Sequence, residues 1–158
     1  MHDPNIFFED FEPGAEWTFG AYEVTAGEIV DYAEQFDPQP MHLDAKAARD
    51  SMLGGLAASG WHSCAMLMRM MCDAFMLDAA SWGSPGIDSC KWLRPVRPGD
   101  VLTCKRTILE AKPSRSRPDM GVVQFRWEVS NQAGEKVLVM ENPIMFGRRP
   151  ATAEAAGS

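Results

Sequence analysis

From residue 59 to about 77 nearly every position is apolar, with His62, Ser63, Arg69 and Asp73 the main exceptions. A helix that is apolar almost all round has to be buried on most of its surface. The rest of the chain must therefore wrap it, and residues 87–93, 101–109, 122–131 and 136–146 read as strands that can. Val123, Phe125, Trp127 and Val129 alternate with Gln124, Arg126 and Glu128, which is the period of a half-buried antiparallel strand. The connections at 94–100, 112–121 and 131–134 are rich in turn residues and too short for helical crossovers. An early buried helix followed by four antiparallel strands predicts an α+β domain, a curved antiparallel sheet wrapped around one long central helix. Such a layer leaves an edge strand uncovered, and pairing with a second copy is the usual remedy, so a homodimer or larger homo-oligomer is expected.

Upstream, Trp17, Phe19 and Ala21 alternate with Thr18, Gly20 and Tyr22, predicting an opening strand. Thr25-Ala26-Gly27-Glu28 has the form of a capping box, with Val24 and Ile29 placed as a hydrophobic staple. The helix that starts there carries Ile29, Tyr32, Ala33 and Phe36 on its apolar face. It should stop at Asp37-Pro38, because a residue before proline is pushed out of the α region. A loop is expected over 38–43, then a short helix capped by Asp44 and broken by Gly54-Gly55. His62, Arg69 and Asp73, at spacings of seven and four, predict a narrow polar stripe on the central helix, with no catalytic role for His62. Residues 1–149 read as one domain and 150–158 as a small, polar, frayed tail.

With 158 residues the chain is long enough for one core without disulfides or a structural metal. Fifteen Lys plus Arg against 22 Asp plus Glu leave a net charge of −7, which argues against a nucleic-acid binder that relies on phosphate neutralisation. Four cysteines without a CxxC pair, and three histidines, make a zinc site a poor reading. The polar opening His2-Asp3-Pro4-Asn5 lacks the pattern of a signal peptide, and charges interrupt the longest apolar stretch, so no membrane span is expected. A cytoplasmic protein with reduced, buried thiols fits these features. Met66, Met70, Met71 and Met76 suit either a packed core or a tunnel for a flexible acyl chain.

Two segments carry candidate chemistry. Phe36-Asp37-Pro38-Gln39-Pro40-Met41-His42 sets a carboxylate and an imidazole five residues apart on a proline-stiffened segment. Spacing alone leaves two readings open: an acid/base pair aimed at one water, or a turn-forming Asp beside an ordinary surface His. Ala57-Ala58-Ser59-Gly60-Trp61 brings small residues to the start of the buried helix, where free N–H groups and the helix dipole suit an oxyanion. Close helix packing explains Gly60 equally well.

The stretch 32–70 resembles the MaoC-like dehydratase family, whose signature is an aromatic, a short gap, then Asp-x-Asn-Pro-aliphatic-His with a small residue six places on. Tyr32, Asp37, Pro40, Met41, His42 and Ala48 stand at those places. Ser59-Gly60 resembles the start of the family's central helix, and Arg94-Pro95-Val96-Arg97-Pro98-Gly99-Asp100 its Pro-x-x-x-Gly-Asp turn. Phe36, Gln39 and Ser59 depart from the common Gly, Asn and His. The resemblance covers roughly residues 7 to 148.

It implies a hot-dog fold and reversible addition of water to a 2-enoyl thioester giving the (R)-3-hydroxyacyl product. It further implies Asp37 and His42 as the catalytic pair and the Gly60 N–H as oxyanion donor. No cofactor is expected beyond coenzyme A as the substrate's carrier. Gln39, Ser59 and Trp61 are then candidate substrate contacts. The basic runs Arg94/Arg97 and Lys112/Arg115/Arg117 are candidates for the carrier's phosphates, each otherwise a solvated loop. Hot-dog domains also bind or hydrolyse acyl thioesters, so a binding module or thioesterase is the alternative.

Overall fold

In the computed structural model, which describes residues 2–151, the strands β1 (Glu16–Glu23), β4 (Val101–Pro113), β5 (Met120–Ser130) and β6 (Lys136–Gly147) form an antiparallel sheet in the order β1-β4-β5-β6. Two short strands lie end to end along the outer edge of β6. They are β2 (Ser81–Gly83), opposite Met145 and Phe146, and β3 (Ser89–Trp92), opposite Leu138 to Glu141. The free edges are therefore β1 on one side and β2 with β3 on the other.

The sheet wraps the helix α4 (Gly60–Ala74), as expected of the hot-dog fold. Met66, Leu67, Met70 and Met71 of α4 share one core with Val123, Phe125, Trp127, Val129, Leu138, Ile144 and Phe146. Each such large side chain contributes about 1.5–3 kcal/mol on burial. The alternation read in β5 is realised: its four apolar residues are buried and the polar ones between them are half-buried. Gly20 has φ +91° at a bulge in β1, and a side chain there would meet the Met70 sulfur at 2.6 Å. Only glycine lets the strand turn and approach α4 at that point.

Three further helices precede α4: α1 (Ala26–Phe36), α2 (Pro40–Leu43) and α3 (Ala45–Arg49). Thr25 caps α1 by accepting from the Glu28 N–H. The reciprocal half of the capping box is missing, because the Glu28 carboxylate instead accepts from the Tyr22 hydroxyl at 3.0 Å. Asp44 caps α3 through the Ala47 N–H, as its position suggested.

Several expectations need correction. The predicted loop at 38–43 contains α2, since Pro40 at its first position has φ already set for a helix and needs no N–H partner. Phe36 is exposed at the end of α1, its ring against Tyr32. His62 does not join Arg69 and Asp73. The latter two pair with each other on the exposed side of α4, whereas His62 lies in its first turns, where α1 covers it. There it stacks on Tyr32 at 4.5 Å and faces Glu28 at 4.0 Å. Strand β2 went unpredicted because three residues are too few to show a period. Of the four thiols only Cys104 is fully buried. Residues 152–158, most of the predicted tail, lie outside the described residues.

Candidate active site

Helix α1 ends by presenting Asp37 as its C-cap, and α2 begins three residues later and carries His42. The short proline-containing link between them brings the carboxylate and the imidazole together: His42 Nε2 stands 3.5 Å from Asp37 Oδ2, with both side chains largely buried. The opposite ring nitrogen, Nδ1, is 2.8 Å from the Ala57 carbonyl. A carbonyl only accepts, so Nδ1 carries a proton in that bond and Nε2 is the nitrogen left to exchange one.

Asp37 is held from both sides. The Ser59 hydroxyl donates to Oδ2 at 2.6 Å and the Gln39 amide donates to Oδ1 at 2.7 Å. These two bonds, Ser59 first, and then the nearby His42 keep the Asp37 carboxyl below the usual carboxylate range. Gln39 and Ser59, proposed from sequence as substrate contacts, thus serve Asp37. The longer side chain of Gln39 reaches it from its own backbone two residues away.

Gly60 opens α4 one residue beyond Ser59, and its N–H has no acceptor among the described residues. It lines, with Met41, His42, Ser63, Trp92 and Arg94, a cavity of about 260 Å³. A side chain at Gly60 would collide with the Trp92 indole at 2.6 Å, and that indole donates to the Gly60 carbonyl at 2.9 Å. Close packing and an available N–H therefore coincide at this glycine. Trp61 is not among the residues that line the cavity. It is exposed and lines a second, larger groove of about 540 Å³ with Cys64, Met68, Ile87, Trp92 and Met140.

The basic candidates separate. Arg94 lines the cavity beside His42 and pairs with Glu135 at 3.1 Å on the exposed side. The Arg97 guanidinium donates to the carbonyls of Leu53, Gly55 and Leu56, so it clamps the 53–56 loop rather than facing a ligand. Lys112, Arg115 and Arg117 sit in or beside the β4–β5 hairpin, whose strand partners are Gly121 and Val122. Trp92 lies opposite Leu138, near the other end of β5. At about 3.3 Å per residue the hairpin is roughly 25–30 Å along the strand from the cavity. Within it, Lys112 pairs with Glu110, and Arg117 pairs with Asp119 and covers the Trp82 ring. Sequence reasoning gave no role to Ala57 or to Trp92. The first acts through its backbone, and the second showed only as one more tryptophan in a strand.

The sheet wrapped on a central helix is a hot-dog fold, and an imidazole–carboxylate pair lies near the start of that helix. A family model described as a MaoC like domain matches residues 10–129, and the chain belongs to that family. A MaoC-like dehydratase from Rhodospirillum rubrum is 40% identical, with a TM-score of 0.85 over 93% of this chain and 100% of that one. The R-hydratase PhaJ1 from Pseudomonas aeruginosa is 25% identical, with a TM-score of 0.70 over 94% of this chain and 93% of that one. A mesaconyl-CoA hydratase from Cereibacter sphaeroides is 38% identical over 65 residues, which are 41% of this chain and 19% of that enzyme.

Proposed function

We propose that this protein catalyses the reversible syn hydration of a trans-2-enoyl thioester of coenzyme A to the (R)-3-hydroxyacyl thioester. The observation that carries the reading is the Asp37–His42 pair at 3.5 Å beside a cavity that His42 and Gly60 both line. Family membership and the likeness to an R-hydratase support it. Asp37, kept ionised by Ser59 and Gln39, accepts a hydrogen bond from the water and orients it. His42 Nε2 takes the water's other proton as oxygen bonds to C3, and returns a proton to C2. Both additions then reach one face of the double bond. The Gly60 N–H receives the charge that develops on the thioester oxygen; loss of such a donor costs about 3–4 kcal/mol in other enzymes.

Arg94, which lines the same cavity, is the proposed contact to the carrier's phosphates. The exposed Trp61, Met68, Ile87 and Leu93, together with the free edge of β3, favour a homodimer that covers this side. Among the described residues no helix is long and apolar enough to cross a membrane.

Crotonyl-CoA tests the reading. Loss of enoyl absorbance without release of free thiol is the expected result, whereas thiol release means hydrolysis and neither change means a binding module. In deuterated water the product should be (R) with deuterium delivered syn at C2. An (S) product would remove the family-based stereochemistry, and anti addition would remove the single-face mechanism.

A further inference from the structure

Trp92, half-exposed, lines both the cavity beside His42 and the apolar groove. Its orientation is fixed three ways: by the N–H donated to the Gly60 carbonyl at 2.9 Å, by edge-on contact with Trp61 at 5.5 Å, and by seating against a glycine that offers no side chain. The cavity of about 260 Å³ falls below the usual range of roughly 300–1,000 Å³ for pockets that enclose small molecules. The groove beyond adds about 540 Å³, walled chiefly by Trp61, Leu67, Met68, Met71, Ile87 and Met140. Nothing in that wall is charged except Asp88.

We infer that Trp92 sets the acyl-chain length this protein accepts, by acting as the partition between the reaction cavity and the apolar groove. The inference rests on the thioester reading above. With the indole in place, a short enoyl group fits beside His42 and Gly60, and a longer chain is blocked. Movement of the indole joins the two spaces, and the groove can then take an apolar chain. Met68, Met71 and Met140, with unbranched flexible side chains, suit such an occupant.

The test compares kcat/KM for crotonyl-CoA and trans-2-octenoyl-CoA. The wild type should favour crotonyl-CoA. Trp92→Ala should raise the octenoyl-to-crotonyl ratio at least tenfold, chiefly through a lower KM for the longer chain. Trp92→Phe keeps most of the bulk and should stay within about threefold of wild type. Trp92→Leu serves if the alanine variant does not fold, as judged by circular dichroism. A ratio within twofold of wild type in a folded small-side-chain variant overturns the partition, as does a Phe variant that shifts as far as Ala. If neither thioester turns over, the hydration reading fails by itself, and calorimetric binding of saturated butanoyl-CoA and octanoyl-CoA decides the partition separately. A tenfold relative gain for octanoyl-CoA in Trp92→Ala sustains it; no gain, or no binding, overturns it.

Discussion

The Ser59 hydroxyl donates to Asp37 Oδ2 at 2.6 Å, tying the residue before the central helix to the cap of a helix 22 positions earlier. Hydrogen bonds to a charged group contribute about 1.5–3 kcal/mol. Because the folded Asp37 pKa is depressed, its stabilisation is present above the unfolded carboxylate value, about 3.9, and is lost as pH falls through the folded value. Ser59→Ala should therefore destabilise the protein most near neutral pH, and the gap to wild type should shrink as the solution is acidified below about pH 4. Urea titrations at several pH values measure this. A gap independent of pH would mean that Ser59 acts without regard to the charge on Asp37.

Asp37→Asn and His42→Gln should each lower kcat on an enoyl thioester by at least about a hundredfold while the fold persists, since acid–base groups typically contribute 10²–10⁴. Steady-state kinetics with a circular-dichroism control checks both. Near-normal turnover in the two folded variants would exclude the pair.

Gly60→Ala places a methyl group against the Trp92 ring, and overpacking of this kind costs about 1–3 kcal/mol. Trp92→Ala removes the collision, so the double variant should recover stability relative to Gly60→Ala alone. Thermal melts of the four proteins give the coupling. Additive losses would show that the indole is not what excludes a side chain at position 60.

Arg97 clamps the 53–56 loop, and the carbonyl of the next residue, Ala57, accepts the hydrogen bond from His42 Nδ1. Removing the guanidinium strands three carbonyls, at about 1–3 kcal/mol for each that stays unsatisfied. Arg97→Ala should lower thermal stability and kcat with little change in KM. A large KM increase at unchanged stability would return Arg97 to the carrier-binding role.

Light scattering at low micromolar concentration should report at least a dimer, because β3 and the exposed tryptophans beside it are uncovered in one chain. A monodisperse particle at the 17.5 kDa chain mass would oppose this.

The sequence by itself determined the order and type of the main elements. Apolar patterning is local: the buried residues of β5 show a strict period of two, and α4 is apolar nearly all round, so both could be read without neighbours. Thr25 and Asp44 marked helix starts for the same reason, since a cap bonds to an N–H only three residues away. Asp37 and His42 were legible as a motif, but whether they met was not, because that depended on α2 forming at Pro40. Gln39 apart, the partners of both residues come from far along the chain: Ser59 for Asp37 and the Ala57 carbonyl for His42. Likewise Arg94 and Arg97, three residues apart on one basic turn, part company only in three dimensions, one toward the cavity and the other into loop carbonyls. Tertiary structure decided these matters because hydrogen-bond reach is about 3 Å, and which groups come within it depends on how the sheet curves around α4 rather than on any spacing along the chain.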